Sequence, residues 1–236
     1  MPYQQINRAA LRAQAYDRLG RTGQNFWRDD ELNRLINEAL RMWNCLTGYW
    51  RVRDVSVVTV ANQVWYPLPS TITSQMRVEW QAKPLGYSAL ADLDNGRPAW
   101  EGETTADGGD VPSEVAVWAP AGLNLIAIWP ADAAGNAQLV LDGIAATPVL
   151  TLDADFIDIG SEELSAILDY IEHAAVFKEG GAEFTSTGTL LESFLKAAAE
   201  RNSLLMASAP FRRWLGIHQD EARVPRRTAE ERIGAR

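Results

Sequence analysis

The chain is poor in the residues that build most catalytic and metal centres. Its 236 residues include one cysteine, Cys45, and two histidines, His173 and His218. A single cysteine forbids an internal disulfide. Two distant histidines without a companion cysteine give no metal-ligand spacing. Cys45, at the end of an apolar helical face, is expected to be a buried, inert thiol. His173, beside a helical stripe, is expected to be a packed or surface side chain rather than a base or ligand. Positive charge is also scarce, with 22 Lys and Arg against 31 Asp and Glu and a formal charge of −9. That balance argues against a whole-surface nucleic-acid binder. The longest uncharged stretch, Val115 to Ala131, is interrupted by Pro120, Gly122, Asn124 and Pro130, which argues against a membrane span. The start MPYQQINRAAL has no basic segment followed by an apolar run, so no signal peptide is expected. No Gly-x-Ser-x-Gly, no lysine-bearing phosphate loop and no Gly-x-Gly-x-x-Gly occurs, so nothing supports catalysis by triad, P-loop or dinucleotide. A soluble protein of a reducing compartment, without cofactor, is the expectation.

What is present is nine tryptophans and three zones of different hydrophobic period. From about Tyr3 to Leu46 the pattern is helical. A first stripe of Ala9, Leu11 and Tyr16 is closed by Gly20 and Gly23. A clearer one follows through Leu32, Leu35, Ile36, Ala39, Leu40, Trp43 and Leu46. Asp29 or Asp30 is placed to cap it, Glu31 suits its positive end, and Gly48 stops it. From about Arg51 to Leu152 the period becomes two. Val55–Val60 and Val64–Tyr66 flank Ala61-Asn62-Gln63 and predict a hairpin. Val115–Ala119 and Leu123–Trp129, joined by Pro120-Ala121-Gly122, predict another. Val78, Trp80 and Ala82 alternate with charged or polar residues, Gln138–Leu141 adds a strand, and Glu101–Pro112 is expected to be a surface loop. Helical period then returns through Leu164, Ile167, Leu168, Ile171 and Ala175, with Gly180-Gly181 as a stop. A last helix runs from about Thr189 to Ala207, ended by Pro210.

Residues 211–236 hold seven Arg, no Lys and four acids, a net +3, against 15 basic and 27 acidic residues, a net −12, in the remainder. Such a segment cannot bury enough surface to fold alone. The expected fold is therefore α+β and mainly a helical bundle of about four helices, with an inserted small antiparallel β domain and an extended C-terminal arm. Its parts are 1–50 and 159–209 (helices), 51–158 (β insertion) and 210–236 (arm). In that arm Phe211, Arg212, Arg213, Trp214, Leu215 and Ile217 form a cluster with the composition of interface hot spots; a helix end folding back on its own domain is the equal alternative. Asp153, Asp155 and Asp158 are expected to be turn and helix-start acids rather than a cation site. Trp65, Trp80, Trp118 and Trp129 are expected in the core of a small sheet rather than on a sugar-stacking platform.

Several short motifs also follow one another in a familiar order. Phe26-Trp27-Arg28-Asp29-Asp30-Glu31-Leu32, then Leu35-Ile36-Asn37-Glu38-Ala39, resembles the "W-[ST]-D-x-E-L…L-N-E-A" opening of the second helix in phage head-to-tail adaptor proteins, with Arg28 in place of the small polar residue. Tyr66-Pro67-Leu68-Pro69 is similar to that family's "Y-x-L-P" turn. Pro84-Leu85, Asp92-Leu93-Asp94 and Pro98-Ala99-Trp100 resemble its "pL…dLD…p-x-W" succession. Pro112 with Trp118, Ile128-Trp129-Pro130 and Leu139-Val140-Leu141 resemble its closing strands. The similarity runs from about residue 8 to residue 206.

The resemblance implies a structural, non-enzymatic protein of the virion neck, made in the host cytoplasm. It implies a self-associated ring, commonly a dodecamer, beneath the portal protein. Tail, nozzle or tail-tube proteins would dock below it, and DNA would be passing cargo only. The C-terminal arm would reach the portal. In such a ring the acidic loop residues Glu101, Glu103, Asp107 and Asp110 face the lumen or the tail proteins, and an acidic lumen would repel DNA so that it slides. Two alternatives fit the same sequence. One is another tail-completion, neck or baseplate component; the other is a glycan-binding or glycan-hydrolysing virion protein.

Overall fold

A computed structural model of the protein describes residues 6–20, 26–122 and 124–202. Two helices open the chain, α1 (Arg8–Arg18) and α2 (Asp29–Thr47). Eight strands follow: β1 (Arg51–Val58), β2 (Trp65–Pro67), β3 (Ile72–Trp80), β4 (Lys83–Pro84), β5 (Gly86–Tyr87), β6 (Val117–Ala121), β7 (Leu125–Trp129) and β8 (Gln138–Ala145). Helix α3 (Leu90–Gly96) and a 3-10 turn (Trp100–Gly102) interrupt them between β5 and β6. Helices α4 (Ser161–Val176), α5 (Gly181–Ser186) and α6 (Gly188–Arg201) close the described chain.

The helices pack as the apolar stripes require. Ile36, Ala39, Leu40 and Trp43 of α2 meet Ile167 and Ile171 of α4, Phe194 and Ala198 of α6, and Leu11 and Ala15 of α1, all buried. The N-cap of α2 is Arg28, with Asp29, Asp30 and Glu31 in the first turn. Glu31 reaches back to accept the Arg28 N–H at 2.9 Å, so the acids act from inside the helix rather than as the cap. Gly48 ends α2 in the left-handed conformation at φ 60°, donating its N–H to the Asn44 carbonyl. Asn44 then anchors the helix to the β region through Ala145 O, Thr147 Oγ1 and the Trp50 N–H. Asn37 exchanges two hydrogen bonds with the Leu150 backbone, as a strand neighbour would.

The β part is larger than the expected small antiparallel insertion. Among the described residues six helices stand beside two four-stranded sheets, ordered β1-β8-β3-β4 and β2-β7-β6-β5. The expectation of a mainly four-helix bundle is therefore corrected to an α+β fold with two full sheets. One pairing, β5 with β6, is parallel, so the β part is not purely antiparallel either. The two sheets share a core, in which Val78, Trp80, Leu139 and Leu141 of the first meet Tyr66, Trp118, Ile126 and Ile128 of the second. On the opposite face of the second sheet, Ala119, Ala127 and Trp129 lie under Leu93 of α3 and Trp100.

The expected hairpin across Ala61-Asn62-Gln63 is also corrected. The turn forms, with Asn62 at φ 61° and the Gln63 N–H on Val60 O. Its arms, however, join different sheets. Val55 and Val57 of β1 pair with Leu141 and Leu139 of β8, while Tyr66 of β2 pairs with Ile126 of β7. A local turn signal reports a reversal of direction and not which strands pair afterwards. The second expected hairpin is present as β6–β7. Strand β3 stops at Trp80 because Gln81 and Ala82 adopt positive φ, so Ala82 is a turn residue. Cys45 is exposed on the outer side of α2, not buried.

His173 is 7% exposed, its Nδ1 3.0 Å from Thr187 Oγ1 and its ring stacked on Phe184 at 4.3 Å. Burial pushes its pKa below the ordinary value of 6.5, an effect the Thr187 contact partly opposes. The unfolded chain thus binds the proton more readily. This contribution to stability is complete above about pH 6.5 and is lost as pH falls. The melting temperature is expected to decline from pH 7 towards pH 5.5, and His173→Gln to flatten that decline. Unchanged curves for the two proteins would contradict it.

Candidate functional site

The acidic loop after α3 is a braced structure rather than a free acidic strand. Arg97 Nη1 donates to both Glu103 carboxylate oxygens, at 2.9 and 3.0 Å, and Nη2 donates to the Asp110 carbonyl at 2.8 Å. The guanidinium lies 4.8 Å from the centre of the Trp129 ring, whose Nε1 donates to Glu103 at 2.7 Å. Ala131 and the loop exchange further main-chain bonds through Glu103 and Thr105. Glu103 therefore faces inward and holds the loop against β7. Asp107 is exposed and accepts the Thr104 N–H, while Glu101 and Asp110 are exposed at the loop's rim. Asp94 accepts from Trp100 Nε1 at 2.8 Å, so the Asp92-Leu93-Asp94 and Pro98-Ala99-Trp100 motifs are the parts that cover the second sheet.

Replacing Glu103 by alanine leaves Arg97 Nη1 and the Trp129 Nε1–H without their acceptor, while Arg97 Nη2 keeps the Asp110 carbonyl. The expected cost is about 1–3 kcal/mol, read as a lower melting temperature. An unchanged melting temperature would contradict the bracing role.

The arm residues Phe211, Arg212, Arg213, Trp214, Leu215 and Ile217 lie outside the described residues. The strand tryptophans are core: Trp80, Trp118 and Trp129 are buried, and half-buried Trp65 meets Trp100 edge to face at 5.6 Å. Asp153 accepts from Arg8 and Arg12, and Asp155 accepts the Thr151 and Leu152 N–H groups. These guanidiniums and N–H groups hold both carboxyls below the ordinary range. Among the described residues no group of three or more His, Cys, Asp or Glu could hold a metal ion.

Two hollows on the helical part were not expected from the sequence. One, of about 300 Å³, lies beside Trp27, Leu35, Ala174 and Phe177, with Phe177 71% exposed and the Glu31–Lys178 ion pair at its edge. The other lies where α2, α4 and α6 meet, at Trp43, Glu163 and Arg201. Glu162-Glu163 and Arg201 stand almost forty residues apart in the sequence, at the start of α4 and the end of α6. Only the packing of three distant helices puts them together.

The family model for the SU10 adaptor protein matches residues 1–214. The chain belongs to this family. The match takes in every described element and reaches Trp214 of the arm. This adaptor is thus a structural protein of a bacteriophage, in a family that is not enzymatic. No curated protein matches it. No helix among the described residues is long and apolar enough to cross a membrane.

Proposed function

We propose that this adaptor forms a closed ring, a dodecamer, in the neck of the virion. It binds beneath the portal protein, joins the capsid to nozzle or tail-tube proteins, and lets DNA pass through its lumen. The observation that carries this is the adaptor-family match over residues 1–214. The body around it supplies what a ring subunit needs. Helices and sheets are tied together through Asn44, and a braced loop carries Glu101, Asp107 and Asp110 on its outside with Glu103 as its internal tie. Ring symmetry repeats every surface charge, so the −9 chain builds an acidic annulus. With these loop acids on the lumen or the tail-side face, DNA is repelled from the wall and slides.

Portal attachment is assigned to the arm. Phe211, Trp214, Leu215 and Ile217 enter apolar pockets, Arg212 and Arg213 pair with portal acids, and burial offsets the cost of ordering. Deleting residues 211–236 is expected to leave a folded protein that no longer joins portal-bearing capsids. Co-sedimentation of the truncated protein with capsids at the level of the full chain would overturn the assignment.

A further inference from the structure

The hollow of about 300 Å³ between the first half of α2 and the end of α4 is an apolar recess, walled by Trp27, Leu35, Ala174 and Phe177. Phe177 is exposed, so the wall presents an aromatic ring to solvent. The apolar surface continues along the helix. Leu35, Met42 and Leu46 follow at two and three turns of about 3.6 residues, so they share one side of α2. Met42 is exposed and the two leucines are half-buried. Charges at the rim are not balanced. Glu31 pairs with Lys178, and Arg34 pairs with Asp30. Glu38, also at the rim, accepts from the Tyr170 hydroxyl and has no cationic partner among the described residues. The recess therefore suits an apolar or aromatic side chain with a cation beside it.

We propose that in the free protein this hollow receives Phe211 and Trp214 of the same chain, with Arg212-Arg213 set against Glu38. The course of the chain points to that occupant. Asn202, the last described residue, donates from its Nδ2 to Leu46 O at 2.7 Å. The sequence after it thus starts at the far end of the apolar side of α2. From Leu46 back to Leu35 is about 16–17 Å, at 1.5 Å per helical residue. Phe211 is nine residues past Asn202, and nine residues reach up to about 30–32 Å, so the segment arrives with slack. It brings two aromatic rings for Trp27, Leu35 and Phe177, and two guanidiniums for the carboxylate that lacks a cation. The net charges, +3 for residues 211–236 against −12 for the remainder, favour the approach. Tethering makes the encounter intramolecular, at an effective concentration on the order of millimolar. Docking covers apolar surface on both sides and keeps the arm's interface residues out of non-specific contacts. The contact goes beyond ring formation and portal attachment and requires neither.

The test is photocrosslinking in the full-length protein, with a benzophenone attached to one cysteine and the captured peptide identified by mass spectrometry. Cys45 is exposed, so Cys45→Ser removes the native thiol without touching the core. In that background Arg34→Cys places the label at the rim of the hollow, on an exposed side chain. Val149→Cys is the control. It is exposed, near the same end of α2 as the start of the arm through Thr147 on Asn44, and away from the hollow. Capture of residues 211–217 within one chain is expected to be at least about fivefold greater from position 34 than from position 149, as a docked tether requires. Phe211→Ser with Trp214→Ser is expected to reduce it by a similar factor. Absent capture, equal capture from both positions, or capture that survives the double variant would overturn the proposal. Capture only in covalent dimers would assign the hollow to a second copy and also overturn it. No portal is present, so either result is separate from the fate of portal attachment.

Discussion

Phe194→Ala is expected to cost about 3–5 kcal/mol of folding stability. The ring is fully buried, 5.7 Å from Trp43 and 4.9 Å from Tyr170 between ring centres, and it is where α6 meets both α2 and α4. Truncation removes the largest side chain that α6 contributes to this core and leaves a cavity that three helices cannot close together. For a chain of this size the melting temperature is expected to fall by roughly 6–20 °C, at 2–4 °C per kcal/mol. The loss would be read directly by chemical denaturation. A cost under about 1 kcal/mol would mean that α6 is not held in the bundle as described.

Gly143 is the second sensitive position, for a reason of space rather than burial. It sits in β8, which pairs on one side with β1 and on the other with β3, opposite Val52 and Gln75. A Cβ added there would lie 2.4 Å from the Ser74 carbonyl oxygen and 2.8 Å from Ile72 Cγ2. The first neighbour is backbone and cannot swing away, so β3 itself has to move, and the register irregularities on both flanking ladders fall next to this point. Gly143→Ala is expected to cost about 2–3 kcal/mol and Gly143→Val more. Gly96→Ala, with nothing within 4 Å of the added carbon, serves as the control and is expected to be nearly neutral. Equal melting temperatures for the Gly143 and Gly96 variants would contradict the packing of the central strand.

These two residues show where the sequence is legible. Phe194 lies on a 3.6-residue stripe, and helices α2, α4 and α6 announce themselves by such stripes, because one helix face and its period are local properties. The β6–β7 hairpin is local too. Gly143 carries no such signal. Its importance comes from β1 and β3, roughly 90 and 70 residues earlier in the chain, meeting on either side of β8, and period-two patterning does not name partners. The same limit turned an expected hairpin at Asn62 into a crossing between sheets, and an expected small insertion into two full sheets. At the acidic loop, composition marked Glu101, Glu103, Asp107 and Asp110 alike. What separates Glu103 from the others is Arg97 and Trp129, and neither spacing nor charge reveals that triangle. The motif order was more informative than any of its members, since each motif is a turn, cap or cover that the fold needs.

The most direct test is the mass by light scattering of the full chain and of residues 1–210, each with and without the purified portal protein of the same virus. A stoichiometric ring on the portal is expected for the full chain and no complex for residues 1–210. An absence of complex with both proteins, or equal rings with both, would contradict it.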